Sequence, residues 1–127
     1  MAEQTIVIHI QGFWRDQHKN DLKDSPGVFF VYEAKFNETD QTVDLLHLIY
    51  IGDADNIRTG ILNHESYPLW QKSLAPGNEL CYAFAPVDYF YRKRVKAAYI
   101  LTHKPTANAN TNESFQYDKT TLVSTGS

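Results

Sequence analysis

The chain has 127 residues, of which 43% are hydrophobic and 21% charged, and its formal net charge at pH 7 is −3. This composition is ordinary for one soluble globular domain and excludes a wholly disordered chain. The negative charge excludes a protein that coats nucleic acid by bulk electrostatics, so any basic site must be local. Glu33, His47 or Asp53 interrupts the longest apolar runs, so we expect no membrane span.

Cysteine and histidine usage argues against a metal centre. Cys81 is the only cysteine, which excludes an internal disulfide and a cysteine-based zinc site and favours a small buried residue. Four histidines are scattered without ligand spacing, namely His9, His18, His47 and His103. No charged segment followed by an apolar one begins at Met1, which predicts a cytoplasmic location.

The N-terminal part predicts one strand and one loop. Thr5 to Ile10 alternates isoleucines with other residues, which indicates a short strand that we expect at the edge of the sheet. Gln11 to Pro26 turns polar and predicts a surface loop with one helical turn. Phe13 and Trp14 should anchor that loop to the core, since no basic cluster lies beside them to suggest base stacking.

Two apolar runs then predict an antiparallel hairpin. Gly27 to Phe36 and Asp44 to Ile51 are joined by a short polar loop, and the second run stops at Gly52. A helix should follow from near Asp55 to about Glu65. Asp53 and Asp55 are its candidate N-caps, with metal binding as the less favoured role. Gly60 inside this helix costs about 1 kcal/mol relative to alanine.

The remaining elements complete a small α/β fold of the α+β type. Glu79 to Val87 predicts a third core strand, and Tyr89 to about His103 predicts a helix capped by Asp88 and ended by Pro105. We therefore expect a mainly antiparallel sheet of three to four strands flanked by helices. The whole chain is one predicted domain: a core over 27–108, an N-terminal strand and loop over 1–26, and a polar tail over 109–127.

Several motifs within 27–108 occur in the order found in one known family. They are Gly27-Val28-Phe29, Tyr50-Ile51-Gly52, Asp55-Asn56-Ile57, Ile61-Leu62 with His64, and the run AAYILTHKPTAN over Ala97 to Asn108. In this combination the chain resembles the GIY-YIG nucleases. A lone Tyr-Ile-Gly triplet would mean little, but the ordered set covers most of one domain.

The resemblance implies a site that cuts phosphodiesters with strand tyrosines, a helix arginine, a metal-binding glutamate on the last helix, and an asparagine. Tyr50, His64 and Asn108 match that pattern and are the implied catalytic positions. Phe29 stands at the first tyrosine, Gly60 at the arginine and Lys96 at the glutamate. None of these three can replace the expected chemistry, because phenyl and hydrogen offer no polar group and an ammonium cannot coordinate a cation. Hydrolysis should therefore be absent or residual.

The only dense basic cluster, Tyr91 to Lys96, lies on the last helix. If that helix lies as the resemblance implies, Arg92 and Lys96 share a face and would bind a phosphate oxygen without cutting it. A simply solvated helix face explains the cluster at least as well. Arg58 would not replace the missing arginine, because two residues turn it about 200° round the helix.

Three functions follow from these residues. The first is a nuclease-like domain that binds DNA or RNA, or phosphate, without cleavage and with no cofactor. The second is an active endonuclease with relocated groups, which would require Mg²⁺ or Mn²⁺. The third is a protein-interaction module on the same scaffold, with its protein partner unidentified, because a fold does not fix a function. No membrane partner is expected.

Overall fold

The computed structural model describes residues 4–105 and 120–126. The strands are β1 (Gln4–Arg15), β2 (Gly27–Asn37), β3 (Thr42–Ala54), β4 (Glu79–Pro86) and β5 (Thr120–Gly126). The helices are a 3₁₀ helix (Asp16–Asp21), α1 (Ile57–Leu62), α2 (Tyr67–Lys72) and α3 (Tyr89–His103). In these ranges no helix combines the length and the apolar character that a membrane crossing requires.

The five strands form one sheet in the order β3-β2-β4-β1-β5. The first four strands are antiparallel to their neighbours, whereas β5 runs parallel to β1. The predicted class, a mainly antiparallel sheet flanked by helices, is confirmed. The expected edge position of β1 is wrong, because Thr120–Gly126 pairs beside it as a strand that lies within the predicted tail.

The sheet is covered on both faces, which explains why β2 and β4 read as nearly continuous apolar runs. The face under α1, α2 and the 3₁₀ helix buries a cluster comprising Leu22, Phe29, Val31, Ile49, Ile57, Ile61, Trp70, Leu80, Tyr82 and Phe84. The face under α3 buries Ile8, Val28, Phe30, Ile51, Ala83, Ala85, Val87, Val95 and Tyr99. The predicted hairpin is confirmed, and β2 also pairs with β4 from Gly27 opposite Pro86 to Ala34 opposite Glu79.

The helix boundaries correct two predicted caps. The N-cap of α1 is Asn56, whose side-chain oxygen accepts a hydrogen bond of 3.0 Å from the Thr59 amide, so the capping roles of Asp53 and Asp55 are wrong. Asp88 occupies the N-cap position of α3, but its side chain makes no capping hydrogen bond in the described part of the chain. The predicted end of α3 is confirmed, and Lys104 follows it in the left-handed conformation that commonly ends helices.

The segment predicted as a loop after Ile10 is mostly ordered secondary structure. β1 continues to Arg15, and the Trp14 ring packs on Phe84 at 5.5 Å between centroids, so its anchoring role is confirmed. The predicted helical turn is the 3₁₀ helix, where Asp16 accepts hydrogen bonds from the hydroxyls of Tyr67 at 2.8 Å and Tyr82 at 2.5 Å. These bonds fasten the 3₁₀ helix to α2 and to strand β4.

Candidate functional site

Of the predicted site residues, those that the structure describes lie around the C-terminal end of β3: Tyr50, His64, Arg92 and Lys96. Tyr50 sits in a cluster of rings whose centroids lie 6.0 Å (Phe29), 5.2 Å (His64) and 5.2 Å (Trp70) from its own. A Cβ built on Gly52 would lie 2.8 Å from Cε2 of Tyr50 and closer still to the Phe29 ring. Only glycine leaves room for both rings at this point. The fold therefore brings the rings of Tyr50 and His64 together.

The chemistry of this aromatic cluster is that of hydrogen-bond donors rather than bases. The Ser66 amide donates to His64 Nδ1 at 3.0 Å, which leaves the proton of a neutral imidazole on Nε2. Burial lowers the pKa of His64 and thus favours this neutral form. The pKa of Tyr50 is raised by burial first, and then by the charges of Asp53 and Glu65, so its hydroxyl stays protonated at neutral pH.

Two positions to which the sequence resemblance assigns catalytic groups are closed by packing. Phe29 is buried in the aromatic cluster and offers no hydroxyl. A Cβ on Gly60 would lie 2.6 Å from Cβ of Ala54, so α1 packs against the end of β3 without room for a side chain. Gly60 is thus required by a close approach, which offsets its cost in the helix.

Arg58 does not replace an arginine at position 60. Its Nε donates to Asp24 Oδ1 at 2.9 Å, which directs the guanidinium toward the segment before β2. The same carboxylate oxygen accepts a hydrogen bond of 3.1 Å from the side-chain amide of Asn56, the N-cap residue of α1.

Three basic residues of α3 converge on one carboxylate at the end of β3. Lys96 Nζ lies 2.7 Å from Asp53 Oδ1, and Lys93 Nζ lies 3.0 Å from Asp53 Oδ2. Arg92 Nε lies 3.3 Å from the same Oδ2, and Arg92 Nη2 lies 2.6 Å from Asp55 Oδ1. We call Arg92, Lys93, Lys96, Asp53 and Asp55 the α3 charge cluster.

The members of this cluster differ in accessibility and therefore in role. Arg92 is only 5% exposed, and its Nη1 also donates to the Ala54 carbonyl at 3.0 Å, so it fastens α3 to β3. The side chains of Lys96 and Lys93 are 26% and 63% exposed and can reach a ligand. The interpretation of this run as a wholly solvated helix face is wrong, because Arg92 is buried.

Electrostatics keep Asp53 ionised and leave an excess of positive charge. Burial raises the pKa of Asp53. The hydrogen bonds from Lys96 and Lys93, together with their charges, lower that pKa by more, so the net shift is downward. The α3 charge cluster contains three cations and two carboxylates, so its net charge is +1. The protein as a whole carries −3. The cluster is therefore a local positive site on an acidic chain.

The two halves of the site lie at the same end of β3 but on opposite faces of the sheet. Gly60 approaches Ala54 on the face covered by α1, whereas Lys96 binds the preceding residue, Asp53, on the face covered by α3. The charge of Lys93 lowers the pKa of Tyr50 against the larger upward effects, so the aromatic and charged groups lie within electrostatic range. Asn108 lies outside the described residues.

Sequence reasoning missed two features of this site. Trp70 is fully buried and its ring lies 4.6 Å from that of His64, yet its indole Nε1 has no hydrogen-bond partner among the described residues. Asp53 was assigned to capping because its cationic partners stand some 40 residues further along the chain. No local pattern in the sequence links Asp53 to these partners, so the pairing emerges only from the docking of α3 on β3.

The described residues contain no group of three or more His, Cys, Asp or Glu side chains that could hold a metal ion. Comparison of the chain with models of known protein families, with curated proteins and with solved structures finds no match.

Proposed function

We propose that this chain is a degenerate GIY-YIG-like domain that binds the phosphate backbone of DNA or RNA and does not cut it. The observation that carries the proposal is the excess of cations in the α3 charge cluster. Lys93 and Lys96 share the carboxylate of Asp53, so a phosphate oxygen can take one ammonium while the other keeps its partner. A cytoplasmic location remains a prediction of the sequence.

Arg92 has an indirect role in this proposal. Its guanidinium already binds Ala54, Asp53 and Asp55, so it adds charge and holds α3 in place without touching phosphate. Tyr50 and His64 lie in the aromatic cluster on the other face of the sheet, so the proposed phosphate contacts are those of Lys93 and Lys96.

Loss of hydrolysis is supported by the positions that would have to act. Phe29 has no proton to give or take, and no side chain fits at Gly60 without displacing Ala54. Lys96 bears a positive charge where a metal-binding carboxylate would be required, and it is paired with Asp53. Removing one stabilising group of this kind typically costs about 10²-fold in rate, and three are replaced together.

The binding half is tested by fluorescence anisotropy with labelled oligonucleotides over a series of salt concentrations. We expect Lys96→Glu to weaken binding and to lower the slope of log K against log salt by about one. The matched control is Lys72→Glu, which makes the same charge change at an exposed position on α2. If both variants weakened binding equally, the effect would be one of overall charge, and the proposed phosphate site at Lys96 would be overturned.

The cleavage half is tested with supercoiled plasmid incubated with the protein in Mg²⁺ or Mn²⁺. We expect the plasmid to stay intact. Nicking that vanishes in Tyr50→Phe would instead establish the active-endonuclease alternative.

A further inference from the structure

The first turn of α3 presents two aromatic rings to solvent. Phe90 is 90% exposed, the largest fraction among the exposed large hydrophobic side chains of the described residues, and Tyr89 is 74% exposed. Their ring centroids lie 6.5 Å apart with planes at 76°. Burial of such rings is worth about 1.5 kcal/mol or more each, so their exposure calls for a reason.

These rings adjoin the cations of the α3 charge cluster. Lys93 follows Phe90 by three residues and Tyr89 by four, the two spacings that place side chains side by side on a helix. The Arg92 guanidinium lies 5.3 Å from the centre of the Tyr89 ring. Aromatic faces and accessible ammonium groups thus form one continuous surface.

We infer that Tyr89 and Phe90 are a stacking platform for the bases of a single-stranded nucleic acid whose backbone lies on Lys93 and Lys96. The inference rests on the proposed function and adds the class of partner to it. Single strands offer free base faces, whereas duplex bases are already stacked on one another. A charge-complementary backbone also explains why this apolar patch borders two accessible lysines, because lysine is depleted in protein–protein interfaces.

The test compares a labelled oligothymidine of about ten nucleotides with a duplex of the same length, a size within the usual range for single-strand sites. We expect Phe90→Ala to weaken single-strand binding by about tenfold and Phe90→Trp to retain it, because indole stacks at least as well. The matched control is Leu101→Ala, which removes an exposed apolar side chain from the other end of α3 and should leave binding unchanged.

The outcomes separate this inference from the proposed function. If Lys96→Glu weakens binding but Phe90→Ala does not, or if Phe90→Ala weakens duplex binding equally, the stacking platform is overturned and the phosphate site stands. If neither oligonucleotide binds at low salt, both are overturned. Binding to anionic phosphatidylserine vesicles that Phe90→Ala abolishes, with oligonucleotide binding unchanged, would assign the rings to a membrane surface and overturn the inference.

Discussion

Asp53→Asn should have opposite effects on stability and on binding, because this carboxylate holds α3 and also occupies the cations proposed to bind phosphate. The substitution keeps the shape of the side chain and removes its charge. The Asp53 side chain is only 7% exposed, and Lys96, Lys93 and Arg92 all lie within 3.3 Å of it. The buried Arg92 would lose one of its two anionic partners.

The size of the stability loss follows from the accessibility of these partners. Removing one member of a buried ion pair costs about 3–5 kcal/mol, because the remaining charge is left without its partner. Arg92 keeps Ala54 and Asp55, which favours the low end of that range. Lys93 is mostly solvated, and exposed pairs contribute little. We therefore expect a loss of about 3 kcal/mol, or about 11 °C in Tm for a chain of this size.

Urea unfolding measures this loss as a lower midpoint with an unchanged m-value. The control is Asp44→Asn, which makes the same charge change at an exposed position of the same strand and should leave the midpoint nearly unchanged. A loss below about 1 kcal/mol for Asp53→Asn, of the size seen for exposed pairs, would refute the structural role of the cluster.

The same variant should bind oligonucleotides more tightly than the wild type at temperatures where both are folded. The uncharged amide would no longer compete with phosphate for Lys93 and Lys96, and the salt slope should become steeper by about 0.7 for single strands. An unchanged slope, or an increase matched by Asp44→Asn, would argue against phosphate binding at this cluster.

Three further predictions concern packing and protonation. Gly60→Ala should lower the free energy of unfolding, measured in urea, by about 1–2 kcal/mol, because its Cβ would meet Ala54. Adding Ala54→Gly to the same chain should recover most of that loss, and no loss in Gly60→Ala would show that α1 is not tightly packed there. Burial raises the pKa of the Cys81 thiol to about 11, so a thiol reagent at pH 8 should modify it only on unfolding, and rapid modification of the folded chain would contradict its burial. Hydrogen bonds from Asn78 and the Ala75 amide lower the pKa of Glu33. Its contribution to the free energy of unfolding is therefore complete above its unfolded pKa of about 4.3 and is lost as the pH falls through the lower folded pKa. Urea unfolding of the wild type should show a fall in stability below about pH 4 that is smaller in Glu33→Gln, and equal falls would contradict this prediction.

The elements that the sequence predicted well are those set by local periodicity. The hairpin of β2 and β3, strand β4 and helix α3 each carry apolar residues at the spacing of their own secondary structure. The same reasoning could not find β5. Its residues, TTLVSTG, share the Ser and Thr content of the tail, and its status as a strand depends on pairing with β1 at the other end of the chain.

The site was predicted as a set of residue types but not as a set of contacts. Phe29, Gly60 and Lys96 could be recognised as chemically unsuited from their identities alone. The close approach of Gly60 to Ala54, and the pairing of Lys96 with Asp53, depend on how α1 and α3 dock on the sheet. An acidic residue between a strand and a helix resembles a cap until its distant partners are known.

The central claim, that phosphate binds at the α3 charge cluster, is tested most directly by nuclear magnetic resonance of isotopically labelled protein titrated with an unlabelled single-stranded oligonucleotide. Saturable shifts in the signals of Lys93, Lys96 and Asp53, which disappear in Lys96→Glu, are the result that we predict. Saturable shifts confined to residues far from the end of β3, or none at millimolar oligonucleotide, would contradict it.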